Sequence, residues 1–295
     1  TMNFGVQYDS THLRYLSVQR AFQTEKAPDR KSDRHSFVEE SLKQKIFSMF
    51  RGSSRDGEDP GELTEPHVMY AYVESRNERS RNLINQAGYE YIRSFLTIAF
   101  SRFKPETNAS VTRLTMEEEP AMAGLLAGQY RNYCFYTDEF TFAGHRYYVL
   151  RKNNEIVAGV SAIPARYKVV NVPGLWGWLM MKVFPVTPFF RRLFQPEEFR
   201  YVILNSIYCR KGNEDLLPDL FEAVCAEEGY NTALTWLDDH SELFDVLRTN
   251  RRMGALNRLL NAKPGLVYAY FSGLTQEETV KFYDSPAYIS GFDFS

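Results

Sequence analysis

Two short polar runs hold the residue types best suited to chemistry. Cys209-Arg210-Lys211-Gly212-Asn213 places one glycine and two adjacent cations just before a helix. Backbone N–H groups at a helix N-terminus, with cations beside them, capture anions, and phosphate suits such a turn. The next residues, Glu214 and Asp215, favour the helix dipole but repel an anion, so a phosphate nest and an ordinary helix start both stand. The second run, Asp238-Asp239-His240, lies where a strand ends, a common place for α/β sites. Its simpler reading, a surface turn and helix cap, is the expectation here. The stretch 19–35 adds Arg20, Lys26, Arg30, Lys31 and Arg34 in a loop without glycine. Those cations could hold phosphates or simply face water.

Other chemistries are excluded. Three Cys, at 134, 209 and 225, form no close pair, and five widely spaced His form no HExxH, so neither a metal site nor a disulfide framework is expected. With 35 Lys+Arg against 37 Asp+Glu, the chain lacks the excess positive charge that gripping nucleic acid requires. No basic stretch followed by an apolar one opens the chain, which reads as a cytoplasmic protein. At 44% apolar and 24% charged residues it is globular rather than disordered, and 295 residues suit two domains. Its 15% aromatics point to large cores or apolar clefts.

Residues 172–194, VPGLWGWLMMKVFPVTPFFRRLF, are the most apolar segment. Lys182, Pro185 and Pro188 interrupt it, and Gly174 and Gly177 weaken its start, so it is no membrane span. The preferred reading is a buried insertion or lid with an internal turn. The alternative is weak contact with a membrane surface or an acyl chain. In it, Trp176, Trp178, Phe189 and Phe190 enter lipid while Lys182, Arg191 and Arg192 meet head groups.

The elements that must position these residues follow from pattern. LRYLSV at 13–18 reads as a strand. Ser36 and Glu39 box the start of a helix carrying Val38, Leu42, Ile46 and Met49 on one face. Residues 52–66 are an acidic loop, and 68–74 a continuous apolar run expected as a buried central strand. Asn77 caps a helix that Gly88 ends, 89–103 is a long strand or strand pair, and 104–109 a linker. A strand at 111–114 leads into helical material through about 133. Asn153-Asn154 turns a hairpin of 147–151 with 156–164. The strand 200–208, a helix starting near Asp215 with Pro218 in its first turn, the strand 232–237, a Ser241-capped helix and the strand 266–271 complete the order. Both halves repeat strand, polar loop, helix, strand, helix, strand, which implies α/β packing with a mixed sheet, written twice.

At this point the chain resembles the GNAT acyltransferase superfamily. NERSRNLINQAGY at 77–89 is similar to the family's second core motif, with Asn77, Ser80, Leu83-Ile84 and Gly88-Tyr89 at the matching positions. The resemblance implies two GNAT-like domains of mixed α/β fold. Residues 1–105 would be a partial one lacking its front strands, and 110–295 a second one bearing the 172–194 insertion. It implies acetyl-CoA or another acyl-CoA as co-substrate, an amine acceptor that is a small molecule or a peptide, and N-acyl transfer, with one copy degenerate. A non-catalytic GNAT-fold binder of a protein or lipid is the alternative. The implied co-substrate residues are Val18, Asn77 and Ser80 in the first copy and Ile207, Cys209, Arg210, Lys211, Gly212 and Asn213 in the second. Both copies depart from the family's glycine-rich turn. Where many members place a Tyr acid, this chain has Ile84 and Phe244, which donate no proton. Tyr91, Tyr208 and Tyr230 read as core or rim aromatics, so no acid or base is assigned.

Overall fold

Strand β4 (Tyr147–Lys152) and strand β5 (Glu155–Tyr167) form the hairpin around which the larger unit is built. Its turn residues Asn153 and Asn154 both sit at positive φ, 52° and 66°, as the twist of a two-residue hairpin demands. The computed structural model describes residues 66–169, 174–188, 190–260 and 263–294. The expected strand at 13–18, the basic loop at 19–35, the helix after Ser36 and nearly all of the acidic loop lie outside the described residues, and Val18 with them.

The chain divides into two compact units. One comprises Arg93–Gly265 and Asp284–Ser295; the other, where described, residues 66–92 and Leu266–Tyr283. In the larger unit β3 (Val111–Arg113) pairs antiparallel with β4, and β5 pairs antiparallel with β6 (Phe199–Cys209). Strand β2 (Glu90–Ser101) runs antiparallel to β7 (Thr232–Asp238), from Phe95 opposite Asp238 to Ser101 opposite Thr232. Of the long strand or strand pair expected at 89–103, the structure has the single long strand. Between these blocks β6 and β7 are parallel neighbours, so the sheet is mixed and the fold class is α/β with both strand senses.

Alternation along the strands splits their side chains between two cores. Tyr148 and Leu150 of β4 join Val202, Leu204 and Phe100 in a core covered by α4 (Leu217–Glu228) and α5 (Glu242–Thr249). Tyr147 and Val149 face a second core with Met122 and Leu126 of α2 (Glu119–Gln129). Local signals set the helix ends. Pro218 lies in the first turn of α4, where its missing N–H costs nothing, and Gly229 ends that helix at φ 75°. Ser241 caps α5 by accepting from Phe244 N at 3.3 Å. The apolar insertion folds as α3 (Gly174–Lys182) and short turns, with Met180, Phe184, Leu193 and Phe194 buried against Ala99 and Leu256. Leu256 belongs to the short α6 (Ala255–Leu259).

In the smaller unit β1 (His67–Glu74) and α1 (Glu78–Gln86) pack with β8 (Gly265–Ser272) around Val73, Ile84, Ala87, Tyr89 and Tyr268. Strand β1 is not the fully buried strand that its apolar run suggests. Among the described residues its one strand neighbour is β8, and most of its residues are half-buried. The rings of Tyr70 and Tyr72, 5.5 Å apart, satisfy an apolar pattern without full burial. Beyond β8, α7 (Gln276–Asp284) carries a capping box, Thr275 with Glu278.

Candidate functional site

The two edges of β6 behave differently. Toward β5 the ladder runs from Phe199 to Cys209. Toward β7 it pairs at Val202–Ala233 and Ile203–Leu234 and then stops, so the strands part over their C-terminal halves. The cause is local. Gly159 opposes Tyr208 and Ser161 opposes Asn205, so β6 holds one residue more than β5 across this step. The extra residue forms a bulge at Ser206, which sits at φ 47°. A bulge bends its strand and ends regular pairing, which opens a wedge between parallel neighbours.

Side chains from several elements line the wedge. Tyr130 and Tyr133 come from the end of α2 and the turn after it, Asn205 to Ile207 from β6, and Thr235 to Asp238 from β7. Ala287, Tyr288 and Ile289 enter from the C-terminal stretch. The space left is about 20 Å³, enough for one water molecule.

The backbone that the bulge exposes is already paired. The Gln129 carboxamide donates from Nε2 to Ile207 O at 2.6 Å and accepts from Cys209 N at 2.8 Å. Tyr130 Oη also donates to Ile207 O, at 2.7 Å, and Tyr147 Oη donates to Ser206 O at 3.0 Å. One side-chain amide thus fills a donor–acceptor pair on a strand edge. Such an edge is complementary to an extended, strand-like chain, whose N–H and C=O groups on one side come from successive amides.

The C-terminal stretch closes the wedge on the other side. Cys134 N donates to Pro286 O at 3.0 Å, and Tyr288 N donates to Cys134 O at 2.9 Å, a parallel bridge centred on Ala287. Ala287 N donates to Asp238 Oδ2 at 2.8 Å, and Gly291 N to Asn205 Oδ1 at 3.0 Å. Tyr288 Oη lies 2.9 Å from Ser206 Oγ and 3.0 Å from Asn205 Oδ1. Asp238 is buried and holds Arg93 through Nε at 3.0 Å and Nη2 at 3.2 Å. The expectation of a surface turn at 238–240 is therefore wrong for Asp238. It anchors β2, β7 and the C-terminal stretch together, while His240 alone is exposed.

Burial leaves the phenols here protonated at neutral pH. The Tyr288 and Tyr133 hydroxyls are pushed up to about 12, chiefly by burial. The fully buried Tyr130 is raised further for the same reason. Burial also pushes the Cys134 and Cys209 thiols up to about 12; for Cys209, Glu214 and Asp215 add repulsion. These groups donate hydrogen bonds and do not act as anionic nucleophiles.

The residues implied as co-substrate contacts fall in two places. Ile207, Cys209, Arg210, Lys211, Gly212 and Asn213 run along the wedge edge of β6 and into the turn before α4. In that turn Gly212 has φ 88°, a conformation that favours glycine. Its N–H donates to Glu214 Oε1 at 2.9 Å, so a carboxylate of the chain occupies the place of an anion. Arg210 pairs with Glu155 at 2.6 Å, Asn213 N donates to Arg210 O at 3.0 Å, and Lys211 is exposed. Asn77 and Ser80 lie in the smaller unit, where Asn77 Oδ1 accepts from Ser80 N at 3.0 Å as the cap of α1. Gln129, Tyr130, Arg93 and Tyr288 did not stand out in the sequence as site residues, whereas Asp238 did, as part of the polar run at a strand end.

No family model matches the chain, and no curated protein matches it. Among solved structures, a GCN5-related N-acetyltransferase from Sphaerobacter thermophilus is similar at a TM-score of 0.41 and 11% identity, over 80% of this chain and 66% of that one. A GCN5-related N-acetyltransferase from Anabaena variabilis gives 0.37 and 10%, over 67% and 45%. A putative GNAT-family acetyltransferase from Novosphingobium aromaticivorans gives 0.38 and 8%, over 78% and 80%. The chain thus spans less than two thirds of the first two.

Proposed function

We propose that the chain is an acyl-CoA-dependent N-acyltransferase of the cytoplasm, with its thioester substrate held along β6 where that strand parts from β7. The observation that carries this reading is the amide-complementary edge at Ile207 and Cys209. An acyl-CoA carries amide groups along an extended arm, and the free edge of a strand offers such an arm an acceptor at Ile207 O and a donor at Cys209 N, which successive groups of the arm can reach once the Gln129 carboxamide leaves. Beyond that edge the chain turns through Arg210, Lys211, Gly212 and Asn213 at the N-terminal end of a helix, where backbone N–H groups and two cations suit a pyrophosphate. The fit has a condition. A space of about 20 Å³ admits no such arm, so binding requires Gln129 to turn away and Glu214 to release Gly212 N.

The reaction joins an amine nitrogen to the thioester carbonyl carbon and breaks the carbon–sulfur bond. The amine proton leaves, and the thiolate gains one. Tyr288 and Tyr133, neutral phenols beside the wedge, supply hydrogen bonds to oxygen charge that develops there. The acceptor is a small-molecule or peptide amine. The tandem arrangement, 1–105 as a degenerate copy and 110–295 as the working one, belongs to this proposal, as do Val18, Asn77 and Ser80 as remnants of the first copy. The free thiols of Cys134, Cys209 and Cys225 suit a reducing compartment.

A second reading has its own support. Gln129, Glu214 and Tyr288 fill every position that a ligand would take, as in a protein that keeps the architecture and binds a partner without turnover. The test is a melting experiment with acetyl-CoA and longer acyl-CoA, paired with release of free thiol in the presence of amines. Stabilisation with thiol release supports the transferase. Stabilisation without release supports the binder. No shift at millimolar acyl-CoA overturns the acyl-CoA site.

A further inference from the structure

The 174–195 insertion turns its large apolar side chains in two directions. Met180, Phe184, Leu193 and Phe194 bury themselves in the unit that carries them. Leu175, Trp178 and Val186 do the opposite, at 80%, 56% and 75% exposure. Leu175, Trp178 and Lys182 follow one another at helical spacing and share the outer face of α3. Lys182, Arg191 and Arg192 are exposed, and no ion pair joins them to a carboxylate among the described residues. The sequence explains why: residues 169–196 contain no Asp or Glu. The first acids beyond them, Glu197 and Glu198, are occupied by Lys168 at 2.7 Å and Arg166 at 3.6 Å. Pro185, Val186, Pro188, Arg191, Arg192 and Gln195 line an open groove of about 440 Å³ with both guanidinium groups beside it.

We propose that this surface docks the protein, without spanning, onto an anionic lipid bilayer. Leu175, Trp178 and Val186 enter the interface, and Lys182, Arg191 and Arg192 meet lipid phosphates. Two observations select that partner. An apolar wedge tipped by Trp is what the boundary between head groups and acyl chains accommodates. Three exposed cations without an ion pair among the described residues, on a chain of net charge −2, are complementary to an anionic surface. No helix among the described residues is long and apolar enough to cross a membrane, and α3 spans only Gly174–Lys182. The proposal is independent of acyl transfer and requires no substrate.

The test uses the full chain with sedimented vesicles, of phosphatidylcholine alone or mixed with phosphatidylglycerol. Binding is expected to the anionic vesicles and to weaken as salt rises from about 0.1 M to about 0.5 M. Each cation contributes about fivefold, so Arg191→Glu with Arg192→Glu is expected to weaken binding at least 30-fold, about 2 kcal/mol. Trp178→Ser is expected to weaken it about tenfold. All replaced side chains are exposed, and an unchanged circular dichroism spectrum and melting curve verify the fold. The proposal is overturned by no sedimentation, by equal binding to neutral vesicles, by variants that bind like the parent, or by millimolar inorganic phosphate displacing the chain. Sedimentation reads no turnover, so failure here leaves acyl transfer standing, and failure of acyl transfer leaves this binding intact.

Discussion

The wedge between β6 and β7 and the outer face of α3 are opposite solutions to the same problem of placing groups that seek partners. In the wedge the chain satisfies itself. Ile207 O, Cys209 N, Gly212 N and the Asp238 carboxylate each have a partner from the same polypeptide. On α3 and the turns after it, large apolar side chains are exposed and the cations Lys182, Arg191 and Arg192 have no ion pair among the described residues. A ligand for the first region must displace something, and part of its binding energy goes into that exchange. A partner for the second has only to arrive. Selectivity is expected at the wedge, and speed with salt sensitivity at the insertion.

The contrast is broken most directly through Asp238. Removing one partner of a buried ion pair leaves an uncompensated charge. Asp238→Ala is expected to cost about 3–5 kcal/mol in urea unfolding, while Trp178→Ser changes stability by no more than about 0.5 kcal/mol. Equal costs at the two positions would show that the wedge is no more self-contained than the insertion.

Gln129 sharpens the comparison. Gln129→Ala leaves the part-buried Cys209 N–H without its partner while Ile207 O keeps Tyr130 Oη, at about 1 kcal/mol. If the amide is a stand-in, the same variant melts lower alone yet gains more from acyl-CoA than the parent does. A variant that loses stability and gains nothing from the ligand would identify Gln129 as structural only.

The phenols give a pH dependence whose sign is fixed. Tyr288 is protonated in the folded protein up to about 12, against about 10 when unfolded. Its contribution to stability is complete below pH 10 and is lost as pH rises toward 12, at about 1.4 kcal/mol per pH unit. Stability measured across that window is expected to fall less steeply in Tyr288→Phe. An unchanged slope would place the Tyr288 hydroxyl in water. A smaller effect is expected in the smaller unit. Asn77→Ala removes a helix cap and is expected to cost about 1 kcal/mol in thermal unfolding.

How much of this was readable beforehand depends on the range of the forces involved. The hairpin at Asn153-Asn154, the cap at Asn77, the stop at Gly88, the position of Pro218 and the Ser241 cap were legible because each is decided within a few residues by φ preference or one hydrogen bond. The parting of β6 from β7 was not legible in the residues themselves. The bulge behind it shows no mark in RYVILNSIY, where Ser206 is one small residue in an apolar run. The partners that close the wedge were invisible for another reason. Gln129 is 78 residues from Ile207, and Arg93 is 145 from Asp238. Pairings at such separation are set by the topology of the sheet. The burial of Asp238 follows from the same cause, since nothing in LDDHS reveals an arginine on a neighbouring strand.

The extra residue at Ser206 also acts as a phase shifter. Before it, the even-numbered Val202 and Leu204 point into the core under α4, while the odd-numbered Tyr201 and Ile203 point away. After it the parity is exchanged: Ile207 joins the α4 core and Tyr208 joins the core beneath α2. Excising this single serine would restore regular pairing with Ile207 and Tyr208 still on their present faces, whereas flattening the bulge with the serine kept would send Tyr208 into a space shaped for Ile207. One inserted residue therefore decides whether the crevice exists, and the bulge that absorbs it keeps both cores filled.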